Sequence, residues 1–418
     1  MRAAVTGASG FVGGHIVDRL MAEGKLPNLA RLKEEGTYGR LNTTCPAISP
    51  VAWSSFMTGS NPGRHNIFDF LTRDKKTYLP TLSSAHIGKA RRTLSIGKYI
   101  IPIGKPEIKL LRKSKPFWTI LGEHGIFSTV LRVPITFPPD KFRGLMLSAM
   151  CVPDLKGTQG SFTHYTTRQR SEQYTGGMEL LMEKNGSAFR SYFSGPENML
   201  LKQPSEMKIP FQLIPDEGRD TAKLRFDGQT VELKKGEYSN WVRLSFRAAP
   251  GMKVQGVCRV LLKETGPHYE MYVTPINIDP AKPALPISHP FIYSIYLSKL
   301  LGNYATLGLA EDTWAINERI IEEGAFEKQC YLIQEEREKM FFNALEKTRH
   351  GLCACVFDIT DRLQHLFWRY LDDRHPANAD KDRIQYKDAI DKVYEEMDRL
   401  AGKVIEKLTE RDALIIMS

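Results

Sequence analysis

The sequence of 418 residues contains no unbroken apolar stretch of the roughly 18 residues needed to cross a bilayer, so no membrane-spanning segment is expected. Its start lacks the basic segment, apolar core and small-residue cleavage site of a secretory leader. Cysteine is sparse. Cys45, Cys151, Cys258, Cys330, Cys353 and Cys355 are scattered, which argues against a disulfide framework and against a four-cysteine zinc site. A reducing, cytoplasmic setting is the resulting expectation. Internal repeats, low-complexity tracts and recognisable DNA- or RNA-binding motifs are also missing. What remains has the composition of an ordinary globular chain, 42% hydrophobic and 25% charged. It is long enough for one large domain with an insertion or for about two to three modules.

Charge is plentiful but unevenly spread. Much of the net +10 lies in residues 89–115, where Lys89, Arg91, Arg92, Lys98, Lys105, Lys109, Arg112, Lys113 and Lys115 face one acid, Glu107. The plain reading is a solvated loop. Ile100, Ile101, Ile103, Leu110 and Leu111 within it leave room for a lid or surface helix, and the charge makes it a candidate contact for an anionic surface.

The chain opens as strand, glycine-rich turn and helix. Thr6-Gly7-Ala8-Ser9-Gly10-Phe11-Val12-Gly13-Gly14 resembles the fingerprint of NAD-dependent epimerases and short-chain dehydrogenases, in which glycines let a pyrophosphate approach a helix N-terminus. The resemblance stops after about 20 residues. The second strand ending in Asp or Glu is not found, and no Tyr-x-x-x-Lys pair occurs. An NAD site is therefore the least favoured reading. Farther on, strand and helix patterns alternate, which predicts a largely parallel sheet covered by helices on both faces. Residues 213–278 interrupt this with alternating β-branched runs, and Asp227-Gly228 marks a hairpin, so an antiparallel β insertion is expected there.

Two stretches carry chemistry. In the first, Ser49 precedes Pro50 and a helical run. A hydroxyl at a helix start faces unpaired N–H groups and the positive end of the helix dipole, which suits a phosphate-binding nucleophile and equally an ordinary N-cap. In the second, a buried strand ends near Asp361, and His365 follows four residues later on the same helix face. Such a pair can hold a transition metal, the imidazole favouring zinc or manganese, and it can equally be a solvated pair. Cys353 and Cys355 read as core.

The pattern Ser49-Pro50-x-x-Trp53-x-x-x-x-Thr58-Gly59-x-x-Pro62-Gly63-x-His65-x-Ile67-Phe68-Asp69-Phe70 resembles the type I phosphodiesterase / nucleotide pyrophosphatase family of the alkaline-phosphatase superfamily. The likeness extends through residues 22–29, through Val152-Pro153-Asp154 with Gly157-Thr158-Gln159-Gly160, and through residues 275–290. A sulfatase would need Cys-x-Pro-x-Arg, which Cys45-Pro46-Ala47 does not supply.

The resemblance implies an alkaline-phosphatase-like α/β fold, a small phosphate-ester substrate and two divalent metals, zinc or alternatively manganese. It implies that Ser49 is the metal-bound nucleophile of a phosphoseryl mechanism, that Asp361 and His365 bind one metal, and that Asp69 and Phe70 border the leaving-group pocket. It also implies gaps. Ser9 stands where the family has a metal-binding Asp, and the sequence reaches Ser418 before the family's Asp-His pair. The expected organisation is an epimerase-like start over 1–20, a first core part over 21–212, the β insertion over 213–278 and a truncated second core part over 279–418. The expected activity is that of an incomplete or inactive hydrolase, with a non-catalytic module for anionic surfaces as the alternative.

Overall fold

Apolar residues at spacings of two and of three to four build a mixed α/β protein in two compact units, residues 1–48 with 357–418 and residues 49–356. The computed structural model describes every residue except 1, 7–10, 40, 89, 91, 105–106, 170–172, 217, 373, 379–383 and 418, and for 2–6 and 11–14 it describes the backbone. Gly7 to Gly10 of the glycine-rich start, including Ser9, therefore lie outside the described residues. So do Lys89, Arg91 and Lys105 of the basic block, and Ser418.

The first unit is a three-stranded parallel sheet with helices. Strand Arg2–Thr6 is central, flanked by Thr37–Gly39 and by Ala413–Met417. Helix Pro27–Glu35 starts without a capping side chain of its own. Its free N–H groups are met by Asp398 of helix Ala389–Ile405, whose carboxylate accepts from Leu29 N at 2.7 Å and Asn28 N at 3.2 Å. A buried carboxylate at a helix N-terminus is favoured by the dipole as well as by the bonds. The two helices approach closely at Gly402, where a Cβ would lie 2.9 Å from the Asn28 side chain.

The second unit contains another short ladder. Gly144–Leu147, Ser128–Leu131 and Leu352–Cys355 run parallel, and the two-residue strand Ser288–His289 pairs antiparallel at one edge. Helices Phe117–Glu123, Ile292–Leu301 and Glu323–Lys347 pack on it. The rest is mostly antiparallel. A five-stranded meander runs in order from Glu183–Asn185 through Ala188–Glu197, Glu206–Pro215 and Thr221–Phe226 to Gln229–Lys234. Asp227 and Gly228 take φ of 42° and 73° at its last turn, as the twist of a two-residue hairpin demands. Alternating side chains of Glu206–Pro215 and Val242–Ala249 point into a core of Phe193, Phe211, Phe226, Leu244 and Phe246.

The expectation of one large parallel sheet is corrected. The parallel strands are divided between two ladders, and most β structure lies in small mixed and antiparallel sheets. Apolar runs announce buried strands but do not specify their neighbours, which is why pattern alone merged the ladders. The basic block is also not the loop or helix expected of it. Its described residues form nested antiparallel pairs, Ala85–Ile87 with Ile108–Leu110 and Arg92–Ile96 with Tyr99–Ile103. No helix among the described residues is long and apolar enough to cross a membrane.

Candidate functional site

Ser49 is the first residue of helix Ser49–Thr58 and is half-buried. Pro50 follows at the position where a missing N–H costs least. The helix is fixed by buried Val51 and Met57, and the Ser54 hydroxyl donates to the Pro50 carbonyl at 2.6 Å. Gly59, at φ 59°, ends it and donates its N–H to the Ser55 carbonyl. Within this frame the Ser49 hydroxyl has no hydrogen-bond partner among the described residues. The hydroxyls of Ser54 and Thr58, by contrast, both donate back to helix carbonyls.

His65 holds the loop that follows. It is fully buried, and its Nδ1 accepts from the Ile67 N–H at 3.2 Å. The proton therefore sits on Nε2, which donates to the Ser55 hydroxyl at 3.0 Å. Burial, and secondly the charge of Arg112, push the His65 pKa below its usual value. A neutral imidazole with both nitrogens engaged is a strut and not a base for Ser55. Arg112 is itself buried in a bidentate pair with Asp140, both bonds 2.9 Å. The neighbouring Lys113 N–H donates to the His65 carbonyl at 3.1 Å.

Asp69 and Phe70 lie on the exposed segment after His65. The Asp69 carboxylate accepts from the Phe70 N–H at 2.6 Å, while the Ser83 hydroxyl donates to the Asp69 carbonyl. No hydrogen bond joins Asp69 to Ser49. Asp154, in another motif segment, is a buried loop hub accepting from Thr158 N, Thr158 Oγ1 and Ser161 N at 2.8, 2.6 and 3.1 Å. Arg132, just past strand Ser128–Leu131, is likewise structural. It spans the Ser148 and Leu307 carbonyls, and burial beside Arg337 pushes its pKa down to about 9.

Asp361 and His365 lie one turn apart on helix Ile359–Phe367, with Asp361 Oδ1 3.4 Å from His365 Nε2. Both side chains reach solvent, and the other carboxylate oxygen lies 3.4 Å from Arg362. The helix buries Ile359, Leu363 and Phe367 on its opposite face. Cys353 and Cys355 are free thiols held protonated by burial, which pushes Cys353 up to about 11 and Cys355 higher. No group of three or more His, Cys, Asp and Glu side chains among the described residues is placed to hold a metal ion. The donors among the described residues do not fit a two-metal centre: an Asp-His pair supplies two ligands where a stable site uses about four. That pair belongs to the first unit and Ser49 to the second.

The residues around Ser49 match a known family. Residues 12–205 match the model of the family described as Type I phosphodiesterase / nucleotide pyrophosphatase. The family segment includes Ser49, His65, Asp69, Phe70 and Asp154, begins after Gly10, and stops well before Asp361. Comparison with curated proteins and with solved structures gave no match. The family so described is one of phosphoester hydrolases that typically bind metals, and the likeness over 12–205 brings that expectation to the segment around Ser49.

Proposed function

We propose that the protein is a phosphodiester hydrolase of alkaline-phosphatase-like descent in which Ser49 is the phosphoryl acceptor. The observation that carries this is the position of Ser49: an unpartnered hydroxyl on the first turn of a well-anchored helix, inside the family segment. There the free N–H groups and the dipole favour both a developing alkoxide and the phosphate oxygens. Ser49 Oγ attacks phosphorus in line, the bond to the leaving alcohol breaks, and the serine proton ends on solvent or on that alcohol. Water then cleaves the phosphoserine.

Asp361 and His365 are proposed as ligands toward one divalent metal, zinc or manganese. Because the donors among the described residues do not fit two metals, the chain is proposed to be a slow catalyst. Asp69 and Phe70 are proposed to border the leaving group. The dinucleotide reading gains nothing, since strand Thr37–Gly39, which pairs beside Arg2–Thr6, carries no acid for a ribose.

The test is hydrolysis of a nitrophenyl phosphodiester with excess zinc. Ser49→Ala is expected to reduce the rate by roughly 10³-fold or to background. An unchanged rate in that variant would remove Ser49 from the mechanism.

A further inference from the structure

We infer that the β-arm over residues 92–103 docks the protein on an anionic lipid bilayer. The register of its hairpin pairs Arg92 with Ile103, Leu94 with Ile101 and Ile96 with Tyr99. Directly opposed residues share a face, and so do residues two apart on one strand, so Leu94, Ile96, Ile101 and Ile103 form an apolar stripe on the face that also carries Arg92 and Tyr99. Packing leaves that stripe open: Leu94 is 51% exposed, Ile96 54%, Ile101 38% and Ile103 53%. An unburied aliphatic face on a two-stranded element marks an interaction surface.

The arm is held in place. Ile100 N donates to the Leu200 carbonyl at 2.7 Å and Lys202 N to the Lys98 carbonyl at 3.0 Å. Its base is tied to the segment carrying Ser49, through Lys113 N to the His65 carbonyl and Ser60 Oγ to Ser114 Oγ.

Charge selects the occupant. Arg92, Lys98, Lys109, Lys113 and Lys202 are exposed in or beside the arm, and the sole acid among residues 89–115, Glu107, is paired with Lys109. A second copy of the chain would bring the same positive charges together. A nucleic acid would call for several aromatic stacking platforms, and half-buried Tyr99 is the one ring on this face of the arm. A bilayer with anionic headgroups takes both features at once, the basic residues at the headgroups and the stripe among the upper acyl carbons. This docking does not depend on Ser49 being a nucleophile.

The experiment is flotation of the full chain with phosphatidylcholine vesicles, with and without phosphatidylserine. Binding is expected with phosphatidylserine only, weakening as salt rises. Arg92→Gln with Lys98→Gln should weaken partition about 25-fold, at roughly five-fold per basic residue. Leu94→Ser with Ile101→Ser should weaken it by about 10-fold or more. Thr93→Ser, on the other face, should change nothing. Ile96→Trp supplies a direct reading, because the indole emission should shift to the blue on anionic vesicles. The proposal is overturned if the chain fails to float with phosphatidylserine, if both double variants bind as the parent does, or if the indole of the Ile96→Trp variant keeps a water-like emission. It is equally overturned if the apolar double variant dissolves a dimer seen by light scattering, or if an oligonucleotide is bound in preference to vesicles.

Discussion

His65 and Ser49 share one motif but have different physical duties. The imidazole is spent on architecture, one nitrogen on the Ile67 N–H and the other on the Ser55 hydroxyl. Its depressed proton affinity sets a pH signature. The unfolded imidazole takes a proton near about pH 6.5, whereas the folded one does so only at lower pH. Below about 6.5 the unfolded state therefore binds more protons, and stability falls as pH falls. His164, buried between Glu179 and Glu270, contributes in the same direction, its pKa lowered by burial first and by Lys263 second. His65→Gln should cost about 1–3 kcal/mol near pH 7.5 and should reduce the further loss on going to about pH 5.5. Urea titrations at the two pH values check this. Equal pH sensitivity in parent and variant would contradict the assignment. The sequence placed this His in a motif but could not tell a strut from a base, because that depends on which nitrogen the Ile67 N–H reaches.

At the level of elements, local sequence signals hold where local rules decide the structure. Asp227-Gly228 gives the expected hairpin, and Gly228→Val should cost about 1–2 kcal/mol through its positive φ, visible in the unfolding midpoint. Within the β-rich residues 213–278, the run around Arg259 is split into two strands, Met252–Cys258 and Val260–Glu264. They separate at Arg259, whose guanidinium is held by Glu336 at 2.9 Å and by the Ser239 carbonyl, a distant pairing that no periodicity reveals. The cap on helix Pro27–Glu35 is similarly non-local, coming from Asp398 some 370 residues away. Asp398→Ala should weaken that helix by about 1–2 kcal/mol, read as faster hydrogen exchange of the amides at its N-terminal end. Unchanged exchange there would show that the carboxylate is not the cap. The basic block departs from the expected loop or helix because its strand pairing is not local, with partners up to 25 residues apart.

For the molecule as a whole, the family was legible from the motif around Ser49, and the match over 12–205 agrees with it. The division into two units was not legible, because the first is assembled from both ends of the chain. The metal chemistry is where motif and structure part. A four-ligand zinc site reaches roughly 10 kcal/mol or more, whereas Asp361 and His365 offer two donors that already contact one another. Calorimetric titration with zinc should reveal no site tighter than about 1 μM, equivalent to about 8 kcal/mol. A nanomolar site would mean that ligands beyond this pair complete it. Whether Ser49 is the phosphoryl acceptor of a phosphodiester hydrolase is decided by comparing zinc-dependent release of nitrophenol from a nitrophenyl phosphodiester by the parent chain and by Ser49→Ala. Slow release by the parent and background release by the variant are expected; equal rates in the two would exclude Ser49 as the acceptor.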